Sequence, residues 1–172
     1  MDALVAQART FAMELVVESV AFHHRRIRTL GRAVVHLAGP LPRPPAWQPL
    51  LEQYDLLARP LGRVFHELEE HVYDPVQLLA AQGRLTFCAL RASRPAFEQL
   101  TAELQSNLAA LDALERALQH SDEDDGLTDA LRLFCLAVRE YLGFQRSVVR
   151  LALEPFFWLS TPAPTPEEHP HP

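Results

Sequence analysis

The chain has 172 residues, 48% of them hydrophobic and 22% charged, which suits one globular domain whose core removes roughly 70% of the unfolded surface from water. Sixteen basic against 22 acidic residues leave a net charge of −6, which argues against a role in coating nucleic acid or anionic lipid. No apolar stretch reaches the ~18 residues that span a bilayer, and Asp2 and Glu14 stand where a secretory leader needs a basic start and an apolar run, so a cytoplasmic protein is expected.

Apolar residues recur at three- and four-residue spacing almost throughout, and the period-two alternation of strands is missing, which predicts an all-α chain. The first helix is expected from about Asp2 to Leu37. Its apolar stripe reads Val5, Ala8, Ala12, Leu15, Ser19, Phe22, Ile27, Leu30 and Val34. Gly39 and the prolines at 40, 42, 44 and 45 end it, because they cannot sustain a helical hydrogen-bond ladder. The second helix is expected from Trp47 to about Tyr73, burying Leu50, Tyr54, Leu57, Leu61, Val64, Leu68 and Val72. Pro60 should kink it, and Asp74-Pro75 should break it.

The third helix is expected from about Leu85 to His120, with an interruption at Pro95 and leucines at 100, 104, 108, 111, 114 and 118 along a bundle seam. The acidic run Ser121–Gly126 is the next turn. The fourth helix spans about Leu127 to Trp158. Residues 1–160 thus read as one antiparallel up-down four-helix bundle with long helices. Residues 161–172 hold five prolines and two histidines, too few apolar groups to offset ordering, and read as a disordered tail.

Every basic residue is arginine, and Ile27 and Asn107 are the only residues of their types, a usage typical of a GC-rich bacterial coding sequence. Cys88 and Cys135 fall in apolar helical stretches and are expected as two buried free thiols. No glycine-rich phosphate loop, Gly-x-Ser-x-Gly elbow or Cys-x2-Cys pair occurs, which disfavours an enzyme built on a nucleophile.

Metal-binding side chains concentrate in the first half. His23 and His24 lie in the first helix; His66, Glu69, Glu70 and His71 lie in the second, where His66 and Glu70 stand four apart on one helical face. An imidazole and a carboxylate at that spacing can share a metal ion. This arrangement resembles the hemerythrin-like, or HHE cation-binding, family over about Ser19 to Leu153. The resemblance implies a four-helix bundle around iron, with His24, His66 and Glu70 as ligands and a role in sensing oxygen, nitric oxide or redox state, or in binding iron.

At the remaining positions of the family pattern this chain has Ser93, Tyr141 and Gln145. With Glu70 the only carboxylate at a matched position, two ferrous ions lack charge compensation. The site therefore reads as reduced or lost. In its place, Tyr141 donating to His66 or Glu70 gives a satisfied polar network. The competing class is a metal-free interaction or regulatory module that meets a protein partner or a second copy of itself.

A bland reading places His24 on the flank beside the solvated arginines 25, 28 and 32, and takes the Glu67–His71 cluster as a polar helix end. Phe156, Phe157 and Trp158 are expected to pack over the bundle end or meet a partner. A third expectation is a small-molecule pocket opened by the Pro60 kink and by Ala92, Ser93 and Gly143.

Overall fold

The structure, a computed structural model, describes residues 2–39, 45–82, 93–121 and 125–153, with side chains from Thr10 onward. Four helical rods make up this part of the chain, and no strand occurs among the described residues. The first rod is α1, Asp2–Ala38. The second joins α2, Trp47–Leu68, through a π-helical turn, Glu69–Tyr73, to α3, Asp74–Ala81. The third is α4, Arg94–Ser106, followed by α5, Leu108–Gln119. The fourth is α6, Gly126–Phe144, continued by a π-helical turn, Gln145–Val149, and by helical residues 150–153.

Neighbouring rods run antiparallel. Gly31 meets Tyr54 while His24 meets Glu69, so the second rod descends as the first rises. The fourth rod descends likewise, since Leu37 lies beside Gly126 and Arg26 bonds Glu140. Each rod buries a seam of alternating three- and four-residue steps, the near-parallel packing of a bundle. In the first rod the seam is Met13, Val17, Val20, His24, Ile27, Gly31 and Val34.

This corrects the expected stripe. Leu15 and Phe22 are exposed, because Phe11, Leu15 and Phe22 form a second apolar strip facing away from the core. Two apolar faces on one helix leave its periodicity ambiguous.

The second rod buries all seven expected residues. It runs through Pro60 and does not stop at Asp74-Pro75. A proline ring crowds the carbonyl four residues back and removes a donor. The π turn accommodates both effects, because the Asp74 N–H already reaches five residues back, to the Glu69 carbonyl, just before the proline falls.

In the third rod Pro95 sits in the first turn of α4, where an N–H has no helical partner. The interruption comes instead at Asn107. This residue takes the seam place expected of Leu108, and its side-chain amide donates to the Glu103 carbonyl at 3.2 Å.

The fourth rod starts at Asp125, whose carboxylate accepts from the Thr128 backbone N–H and from the Trp47 indole, each at 2.8 Å. Cys135 is a buried free thiol, and burial pushes its pKa up to about 12. Cys88, Ala92, the proline loop 40–44, the start of the third expected helix, the centre of the acidic turn, the aromatic run Phe156–Trp158 and the tail lie outside the described residues. No described helix is long and apolar enough to cross a membrane.

Candidate functional site at the bundle centre

At mid-height the apolar seams give way to a polar layer. His24 comes from the first rod, Glu69 and Tyr73 from the second, and Tyr141 and Gln145 from the fourth. The π turn of the second rod places one of these residues, its surplus residue bringing Tyr73 inward beside Val72, while Gln145 follows Tyr141 by an ordinary four-residue step and opens the π turn of the fourth rod. They meet across the core, where the Tyr73 hydroxyl donates to Gln145 Oε1 at 3.0 Å and the Tyr141 hydroxyl donates to the same oxygen at 3.4 Å. Burial raises the pKa of both phenols, so they remain protonated donors.

His24 is fully buried, contrary to the flank reading. Its ring stacks on Phe65 at 4.0 Å and meets the Tyr141 ring at 4.9 Å in an edge-on contact. Its Nδ1 lies 2.7 Å from Glu69 Oε1. A carboxylate only accepts, so Nδ1 carries the proton and Nε2 presents a lone pair. Burial lowers the His24 pKa against the opposing pull of Glu69, and the ring is neutral.

Arg28 clamps the same carboxylate from the rim, Nη1 to Oε1 at 3.0 Å and Nη2 to Oε2 at 2.8 Å. Burial pushes the Glu69 carboxyl up, but the bonds from His24 and Arg28 outweigh it and hold its pKa at about 2. Within this layer His24 Nε2 and Gln145 Nε2 are buried without a hydrogen-bond partner, as is Nδ1 of the adjacent His23.

His66 and Glu70 are not part of this layer. Their side chains are 74% and 60% exposed and lie 3.7 Å apart on the outer face of the second rod. The expected convergence of His24, His66 and Glu70 is therefore replaced by His24 with Glu69. The bond expected from Tyr141 to His66 or Glu70 goes to Gln145 instead. Ser93 is buried at the start of α4.

The seam already held the signal that separates these residues. His66 is two positions from both Val64 and Leu68, about 200° round the helix from either, so it must face outward when they face inward. Tyr73 is not identifiable from the sequence as a core group, because the register shift that brings it inward has no local signature beyond the adjacent pair Val72-Tyr73, and Glu69, which opens that turn, is one of several polar residues there that could turn inward.

These donors do not fit a pair of iron ions. They supply one imidazole, one amide, two protonated phenols and a carboxylate already neutralised by a guanidinium, too little negative charge to bury four positive ones. Among the described residues no three His, Cys, Asp or Glu side chains cluster as a metal-binding group.

The layer makes stability depend on pH. Below about pH 6.5 the unfolded chain protonates His24 while the folded, lowered His24 resists, so stability declines as pH falls. Between about 4.5 and 2 the unfolded chain protonates Glu69 while the folded carboxylate stays ionised, and the stability present above 4.5 is progressively lost. Urea-unfolding midpoints measured from pH 7 to 3 should fall less steeply in His24→Phe over the upper range and in Glu69→Gln over the lower. Profiles parallel to wild type in both variants would show that the pair does not couple to folding.

Comparison with family models, with curated proteins and with solved structures gives no match for this chain, so its functional reading rests on the geometry of this layer and on the surface around it.

Proposed function

We propose that the chain is a metal-independent helical bundle serving as an interaction or regulatory module. The observation that carries this reading is the Arg28 clamp on Glu69: the one acid beside the buried histidine has its charge met by a guanidinium on both oxygens, as a cation would meet it. The Tyr73–Gln145–Tyr141 bonds fill the rest of the layer with neutral groups. An interaction role draws support from the back of the first rod, where Phe11, Leu15 and Phe22 are 61%, 48% and 56% exposed in one strip. The partner we assign to that strip is a second copy of the chain, with Glu18 and Arg25 providing opposite charges along the same helix.

A second reading is favoured by one feature. An imidazole whose Nδ1–H is held by a carboxylate and whose Nε2 is free has the orientation of a metal-ligating histidine. On that reading a single iron at His24 supports oxygen, nitric oxide or redox sensing, in keeping with a hemerythrin-like origin.

Metal analysis separates the two. Protein expressed with added iron should carry no more iron per chain than His24→Phe, whereas iron present in wild type and lost in the variant would establish the sensing reading. Sedimentation velocity tests the partner: wild type should associate with rising concentration and Phe22→Glu should remain monomeric. A single monomeric boundary for wild type at all concentrations would remove self-association from the proposal.

A further inference from the structure

Between the first rod and α2 lies an apolar groove of about 600 Å³, within the range of small-molecule sites. It stays open because α2 presents only Ala58 and Gly62 there, with no large side chain to close the gap. A Cβ built on Gly62 meets no atom within 4 Å, so space there is open. Ile27, Leu61, Phe65 and Phe134 line it with hydrocarbon, and Val35 is exposed at its edge. It is not the pocket expected in the bundle core: Pro60, Ser93 and Gly143 do not border it, and Ala92 lies outside the described residues.

Two properties select the occupant. The Tyr54 hydroxyl, donating to the Gly31 carbonyl at 3.1 Å, and Arg28 on Glu69 join the two walls of the groove at two points. Residues 27–35 extend about 12 Å along the axis, which suits a slim, extended chain. The rim carries Arg28, engaged with Glu69, and Arg32, which is exposed and among the described residues bonds only the Arg28 carbonyl, through Nε at 3.4 Å. Arg32 thus offers its terminal nitrogens to an anion beside an apolar trough.

We infer that the groove binds an unesterified medium-chain fatty carboxylate, its hydrocarbon along Val35, Ala58 and Gly62 and its head group on Arg32. This assigns a ligand to the module proposed above and rests on that reading only for its biological meaning. The Phe65 ring separates groove from centre, with His24 stacked on it, so occupancy of the groove does not require a particular state of the polar layer.

The experiment is calorimetric titration of the full chain, treated with chelator, using decanoate as probe and decylamine as its cationic counterpart. Decanoate should bind saturably at one site per chain, and decylamine at least about tenfold more weakly, the scale of one charge-assisted contact. Arg32→Glu should weaken decanoate about tenfold or more. Gly62→Leu should abolish binding by filling the trough, while its thermal melt reports a folded helix, since the residue replaced is a helix-weakening glycine at an open position. Absence of saturable decanoate binding to folded wild type, equal binding of decylamine, or unchanged binding in Gly62→Leu would each overturn the assignment. The iron measurement is unaffected by any of these results, so the two readings fail separately.

Discussion

Tyr141→Ala should lower the unfolding free energy by about 3–5 kcal/mol, the cost of removing a large aromatic side chain from a close-packed core. The ring is fully buried and packs edge-on to Phe65 at 5.0 Å and to His24 at 4.9 Å. Its loss opens a void between two side chains that cannot collapse, since His24 is anchored to Glu69 and stacked on Phe65. The hydroxyl contributes much less: its bond to Gln145 is long, at 3.4 Å, and Tyr141→Phe should cost under about 1 kcal/mol. Tyr73→Phe should cost about 1–2 kcal/mol, because it removes the 3.0 Å bond and leaves the Gln145 oxygen with the weaker donor. Urea denaturation followed by circular dichroism gives all three values. A Tyr141→Ala loss no larger than that of Tyr141→Phe would contradict the packing account.

Asp125→Ala should cost about 2–4 kcal/mol, combining an N-cap with a charge-assisted bond to an indole. The carboxylate satisfies the Thr128 N–H at the start of the fourth rod and fastens it to Trp47 at the start of the second. Asparagine caps a helix as well as aspartate does, but its amide cannot accept from the indole with both functions intact. Asp125→Asn should therefore recover the cap and lose the tie, falling between wild type and Asp125→Ala. Equal stability of the two variants would mean that the Trp47 bond contributes nothing.

Helix content and order were legible because periodic apolar spacing, glycine and proline mark rods and their ends. The second rod's buried face follows from a single unambiguous heptad, Leu50, Tyr54, Leu57, Leu61, Val64 and Leu68. The first rod's face did not, since Phe11, Leu15 and Phe22 compete with Met13, Val17 and Val20 for the same signal. Nor did continuity past Pro75: a break and a π turn have the same local sequence, and only packing of Val76 and Ala80 against the first rod selects the continuous rod.

At the centre, His24, Tyr141 and Gln145 were legible as inward positions, whereas Glu69 was masked by its neighbours. Four of the five residues from His66 to Glu70 are polar, so composition alone does not choose among them. The heptad excludes His66 and Glu70, and the reach of Arg28 and His24 from the first rod selects Glu69.

The surplus residue in each π turn makes these rods tolerant of a one-codon loss in a way that ordinary helices are not. Deleting one residue from 69 to 73 lets the turn close as regular α-helix and leaves Val76 and Ala80 in phase with the first rod, whereas the same loss elsewhere in the rod rephases everything after it by about 100°. A loss between 145 and 149 likewise leaves Leu153 in line. In-frame deletions at these two points that spare Tyr73 and Gln145, which hold each other across the core, should therefore be tolerated better than deletions one or two turns away.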